Sequence, residues 1–222
     1  MKALLIGSIG VVTETSNIQR QAYNQAMKEV GLDWHWDLET YQHLLGFSGG
    51  IARLELLAAA TNQELNDSTV EKIHTRKTEV ACQMIKEKSV QPRPGIVDLV
   101  NQARERGLDV FWVTSTGTEN TSAILESADT LSSEHFKQIY LRDDVEAGKG
   151  KPSADIYNKV LSDHNLTAED VIAVEDSLPS VLSAKRAGIK TYAYQGELHT
   201  DSLDGIADGI CKTAEDLLKL IN

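Results

Sequence analysis

Three short clusters hold the side chains with the most chemical potential. Thr114-Ser115-Thr116-Gly117-Thr118 offers hydroxyls and a glycine, good donors for a phosphate oxygen. Gly148-Lys149-Gly150-Lys151-Pro152 presents Lys151 in a glycine-flanked, proline-stiffened loop, suited to neutralising a phosphate. Glu175-Asp176-Ser177 sets two carboxylates side by side, a hard oxygen pair suited to Mg²⁺. Each cluster alone has a plainer explanation. Thr114 and Ser115 would also serve as a helix cap, Lys151 as a surface lysine, and Glu175-Asp176 as an exposed loop. The three together, each placed around the end of an apolar run and in this order, are far more specific.

Those apolar runs are the elements that must position the clusters. Ala3–Ile6, 108–113, 138–141, 171–174, 190–194 and 209–211 read as short strands. Helical spacing separates them: Ile96, Leu99, Val100 and Ala103, then Ile156, Val160 and Leu161, then Val181, Leu182 and Ala184. Strands alternating with helices predict an α/β fold with a parallel sheet covered by helices on both faces. In such sheets ligands bind beyond the carboxyl ends of the strands, where the clusters fall. The alternation breaks once. Residues 16–88 contain no strand pattern and several helical ones, including a capping-box signal at Ser68-Thr69-Val70-Glu71. The division expected is a core of residues 1–15 and 89–222 with a helical cap of residues 16–88 inserted after the first strand.

Composition narrows the partners. The 222 residues carry a net charge of −11, which repels phosphate backbones and acidic lipid faces. A nucleic-acid or membrane partner is therefore not expected, while a small anionic ligand remains compatible with a locally opposed pocket. No apolar run approaches the roughly 18 residues needed to span a bilayer. The N-terminal run is too short for a signal peptide. Cys82 and Cys211, without metal-type spacing, are expected to be buried thiols, and a cytoplasmic or other reducing soluble compartment fits them.

Thr114, the run Gly150-Lys151-Pro152-Ser153-Ala154-Asp155, Glu175-Asp176-Ser177 and Ala187-Gly188 together resemble the haloacid dehalogenase-like superfamily of phosphatases and phosphomutases. In the 16–88 insert, Gly31 to Asp37, Tyr41, Leu44-Leu45, Gly49-Gly50, Arg53, His74 and Lys77-Thr78 resemble the lid of its CbbY-like branch, as does Arg93-Pro94-Gly95 just beyond it. The resemblance implies a Rossmann-like core, a lid that closes over a sugar phosphate, and Mg²⁺ as cofactor. It implies Thr114 and Lys151 as catalytic residues. Gly50, Arg53, Lys77 and Ser115 become substrate-binding residues, and Glu175 and Asp176 metal ligands. On spacing alone, Lys77 interrupts the apolar stripe of Ile73, Val80 and Met84 and reads first as a snorkelling lysine, whereas the resemblance implies a lysine reaching the ligand.

One motif departs from the family. Its first strand ends in Asp-x-Asp-Gly, the first aspartate attacking phosphorus and the second moving protons. Here the matching stretch is Gly7-Ser8-Ile9-Gly10, and Glu14-Thr15 secures the register against a downstream Asp-Thr. Gly7 carries no nucleophile and Ile9 cannot exchange a proton. One metal carboxylate is also lost, so a weakened Mg²⁺ site is expected. The leading expectation is a catalytically silent relative that binds a phosphorylated sugar. An interaction protein on a relic scaffold and a phosphatase of unusual mechanism stand behind it. Nothing in the sequence names a protein partner.

Overall fold

The computed structural model describes residues 1–199 and 202–222. Six parallel strands form one sheet: β1 (Ala3–Ile6), β2 (Asp109–Val113), β3 (Gln138–Tyr140), β4 (Val171–Glu175), β5 (Lys190–Ala193) and β6 (Gly209–Ile210). Their order is β3-β2-β1-β4-β5-β6, the order of a doubly wound Rossmann-like sheet. β1 is buried along its whole length because it pairs with β2 on one side and β4 on the other. Alternation along the strands feeds two cores. Leu4, Ile6, Val110, Trp112 and Val174 face one, and Ala3, Leu5, Phe111, Val113 and Ala173 the other.

Four helices lie in the sheet's crossovers, α5 (Ile96–Glu105), α6 (Thr118–Ser127), α7 (Asp155–Asp163) and α8 (Leu178–Arg186), and α9 (Ala214–Lys219) follows β6. Between β1 and β2 the chain forms α1 (Ser16–Glu29), α2 (Leu38–Leu45), α3 (Gly50–Ala60) and α4 (Asp67–Glu87). The insert is therefore helical, as its missing strand pattern predicts. α4 starts earlier than the capping-box signal places it. Asn66 is the cap, its side chain accepting the Thr69 N–H at 2.8 Å.

The inserted helices pack in two ways. Tyr23, Met27, Trp36, Tyr41, Leu54 and Ile73 form a cluster of their own. Ile18, Ala22, Val80, Ala81 and Ile85, at the other ends of α1 and α4, join the sheet's larger core. The cavity between the two halves opens where α1 and α4 rise off the sheet.

Cys211 is buried, whereas Cys82 is only half-buried, since α4 leaves that face partly open. Among the described residues no helix is long and apolar enough to cross a membrane.

The loops at the sheet's carboxyl edge are tied by Arg93. Its guanidinium donates to the carbonyls of Gly10, of Tyr194 at 3.2 Å and of Gln195 at 3.1 Å. It also lies 3.8 Å from the Tyr194 ring centroid, a cation–π contact. Two residues on, Gly95 turns the chain into α5 with φ +81°, a left-handed conformation that a side chain resists. A Cβ there would also sit 2.5 Å from Cβ of Ala214. Gly95→Ala is expected to cost about 1–3 kcal/mol from strain and overpacking together, read as a lower urea midpoint with an unchanged slope.

Candidate functional site

The site lies where the strand order reverses, beyond the ends of the adjacent strands β1 and β4. A cavity of about 520 Å³ opens there between the sheet edge and the inserted helices. Its sheet end is lined by Ser8, Ile9, Thr114, Ser115, Lys151, Glu175 and Asp176. Its cap end is lined by Gln19, Tyr23, Gly50, Arg53, His74 and Lys77. Thr114, Lys151, Gly50, Arg53, Lys77, Ser115, Glu175 and Asp176, with Ile9, all border this one cavity, and Gly7 does not.

Gly7 lies below it, at the end of β1, with its N–H on the Val174 carbonyl at 2.9 Å. The room beside it is taken. A Cβ at Gly7 would lie directly against Oε2 of Glu175, with Cδ at 3.0 Å. Glu175 is 1% exposed and held from the other side. Lys151 Nζ donates to its Oε1 at 2.5 Å and to the Val113 carbonyl at 3.1 Å. The Tyr157 hydroxyl donates to the same Oε1. Burial raises the Glu175 carboxyl above its ordinary range, against the pull of Lys151 and of the Tyr157 hydroxyl. Burial and the neighbouring carboxylate likewise push the Tyr157 phenol far up, so it stays a donor. The positive charge of Lys151, expected from the sequence to face a phosphate, is matched inside the fold.

Asp176 has a partner of its own. His199, from the loop after β5, places Nε2 2.8 Å from Asp176 Oδ2, and both side chains are buried. Burial works against the imidazolium, but the hydrogen bond and charge of Asp176, with Glu14, outweigh it and raise the His199 pKa. Nothing in the sequence pattern marks His199. Tyr157, two residues past Asp155, was equally unmarked.

Thr114 Oγ1 accepts the Thr116 N–H at 2.9 Å, so it braces its own turn while lining the cavity. Ser115 Oγ is buried without a partner. Ser8, just past the last residue of β1, lines the cavity beside Ile9. Its buried hydroxyl has no hydrogen-bond partner, hence no base to activate it. Glu14 is tied down: its two oxygens accept the N–H groups of Ser16 at 2.9 Å and Glu197 at 2.8 Å.

At the cap end Lys77 is 7% exposed, so the snorkelling alternative fails. Its Nζ donates to Gln19 at 3.1 Å and lies 5.0 Å from the Tyr23 ring. Burial, then the Arg53 charge, lowers its pKa to about 8. Arg53 Nε donates to the Leu44 and Phe47 carbonyls at 3.0 Å each, and Nη1 reaches the Tyr41 hydroxyl at 3.4 Å. Burial and Lys77 lower the His74 pKa to about 4, leaving a neutral ring near neutral pH. Gly50 permits a close approach, since any Cβ there would strike the Tyr23 hydroxyl.

Mg²⁺ takes six oxygen donors in a strict octahedron, typically one or two carboxylates with waters. Gly7 supplies no side-chain oxygen, Oε1 of Glu175 is occupied by Lys151 and Tyr157, and Oδ2 of Asp176 by His199. Among the described residues no group of three His, Cys, Asp or Glu side chains converges to hold a metal. Each carboxylate keeps one oxygen outside these contacts and Gly7 adds none, so Glu175 and Asp176 as they stand fit a resident Mg²⁺ poorly.

Comparison with known proteins fits this geometry. The haloacid dehalogenase-like hydrolase family matches residues 10–194, most of the chain. The chain belongs to the haloacid dehalogenase-like hydrolase family. Within it the chain falls in the CbbY-like branch. Protein CbbY of Cereibacter sphaeroides is 30% identical over 196 residues, 88% of this chain and 85% of that protein. The plasmid-borne CbbY of Cupriavidus necator is 33% identical over 196 residues, 86% of this chain and 77% of that protein. The crystal structure of CbbY from Rhodobacter sphaeroides in complex with phosphate superposes with a TM-score of 0.89 at 29% identity, covering 98% of this chain and 96% of that one. A mutant of that protein in complex with xylulose 1,5-bisphosphate gives 0.88 at 30% identity, covering 96% of this chain and 95% of that one. The family match begins at Gly10, just past Gly7 and Ile9.

The His199–Asp176 pair has a signed pH dependence. A raised imidazole pKa contributes stability that is full below the ordinary histidine value of about 6.5 and is lost as pH rises through the folded value. Asp176→Asn should drop the His199 pKa below that ordinary value, because burial then dominates. The stability lost in the variant should be largest in acid and shrink with rising pH. NMR titration of the histidine ring protons and urea melts across pH check both.

Proposed function

We propose that this protein is a phosphatase-derived binder of a phosphorylated sugar that does not carry out its family's covalent hydrolysis. The observation that carries the reading is the pair Gly7, beneath the sheet end of an otherwise furnished cavity, and Ile9, which lines it. Covalent phosphoryl transfer needs a nucleophile in line with phosphorus, and glycine has none. Isoleucine forfeits the proton transfers that contribute roughly 10²–10⁴-fold. Neither neighbour restores them. Ser8 has no base, and Glu14 is spent on backbone N–H groups.

Support for retained binding comes from the cavity itself. Decay of an unused site would be expected to fill it or strip its donors. Here Arg53 and Lys77 point to it from the cap helices, and Ser115 offers a buried hydroxyl with no other partner. The phosphate and xylulose 1,5-bisphosphate complexes of CbbY make a sugar phosphate the natural ligand class. The unit of residues 16–88 is read as the lid over that ligand. Thr114 and Lys151 keep the family's positions but act here as structural and orienting groups.

The test has two arms. A panel of sugar phosphates incubated with the native protein should release no phosphate above background. The same panel should include a member that raises the melting temperature. At a hundredfold excess over Kd the stabilisation is about 2.7 kcal/mol, roughly 5–11 °C for a chain of this size. Phosphate release that disappears in Lys151→Ala contradicts the reading. So does a melting temperature that no sugar phosphate moves.

A further inference from the structure

The charges lining the cavity are matched at one end and unmatched at the other. At the sheet end Lys151 is paired with Glu175, and His199 with Asp176. At the rim Arg142 is bridged to Asp143 at 2.9 Å, and Glu119 stands next to it beside Gly117. Glu79 is held by Arg76 at 2.9 Å. Two cations are left. The hydrogen-bond partners of Arg53 are carbonyls and a phenol, and that of Lys77 is an amide oxygen. Among the described residues neither has a carboxylate within ion-pair distance.

Uncharged donors lie at both ends. The hydroxyls of Tyr23 and Ser16, each 1% exposed, line the cap end with no hydrogen-bond partner. Ser8 and Ser115 do the same at the sheet end. Buried hydroxyls left unpaired are costly, and a ligand with matching groups relieves that cost.

We propose that the ligand lies in this pocket with its single anionic group at the cap end, on Arg53 and Lys77, and a neutral hydroxyl-bearing part at the sheet end, with no divalent metal between them. The inference rests on reading the pocket as a sugar-phosphate site and adds the ligand's charge and polarity to it. A phosphoryl group at the sheet end would meet two carboxylates whose cations are already engaged. Without the carboxylate that Gly7 lacks, and with Glu175 turned into the room beside it, nothing there assembles the charge to hold it. At the cap end the planar guanidinium grips two oxygens and the ammonium a third. Sugar monophosphates are thus the ligand class, and a second phosphate adds no affinity.

The test is calorimetric titration of ribose 5-phosphate and xylulose 1,5-bisphosphate into the full chain, each with excess Mg²⁺ and with EDTA. The expected result is a monophosphate affinity equal in both conditions, and a bisphosphate that binds no tighter than about twofold, the statistical gain of a second equivalent group. Arg53→Ala and Lys77→Met should each weaken binding by about tenfold or more, and Ser115→Ala by less than about threefold. Lys77→Met keeps an apolar stem in the packed cap, so its result stands even if Arg53→Ala disturbs the α2–α3 turn. Binding that requires Mg²⁺, or that falls with Ser115→Ala and ignores Lys77→Met, overturns the inference while leaving a sugar-phosphate site in place. Failure of both sugars, and of inorganic phosphate, to bind removes the site itself and the inference with it.

Discussion

Everything at the sheet's carboxyl edge is arranged around one buried carboxylate, Glu175. It receives Lys151 and Tyr157 on one oxygen and turns the other toward the bare backbone of Gly7. The network joins β2 through the Val113 carbonyl, the loop before α7 through Lys151, α7 through Tyr157, and β4 itself. A buried ion pair gives little net stability but is costly to break, about 3–5 kcal/mol when one partner is removed. The geometry of the edge is therefore fixed by Glu175, and a side chain at position 7 would have to displace it. The Glu175 carboxylate has thus settled into the room beside Gly7.

That settlement divides the cavity. Its floor is electrically balanced and rigid, built of paired charges and strand ends. Its roof is built from helices whose own aromatic cluster holds Arg53 and Lys77 in place without neutralising them. Arg93 clamps the loops after β1 and β5, which keeps His199 over Asp176. A scaffold whose relatives include phosphatases has a floor of paired charges and a roof whose two cations meet only neutral partners.

Much of this was legible in the sequence. The apolar runs gave six strands, because buried parallel strands must be apolar on both faces, and their polar ends located the site. The hydroxyl, lysine and acidic clusters all reached one cavity for the same reason: the carboxyl ends of parallel strands share an edge. Gly7 and Ile9 stand out by register alone as departures from the family's first motif. What the sequence left hidden depends on partners distant in the chain. Which group neutralises Lys151, and that His199 returns over Asp176 from a loop without a pattern, are facts of packing. The α4 cap was misplaced because Ser68-Thr69-Val70-Glu71 carries the capping signature while Asn66 makes the bond. Lys77 could not be assigned from a stripe, since helical spacing gives the face and says nothing of what the face meets.

The most direct test is a crystal structure of the native protein grown with a sugar monophosphate and Mg²⁺. The account predicts density for the phosphoryl group between Arg53 and Lys77, no metal on Glu175 or Asp176, and the Lys151–Glu175–Tyr157 contacts undisturbed. A phosphoryl group at Thr114 and Ser115, with a metal drawing Glu175 and Asp176 away from their cations, would contradict it.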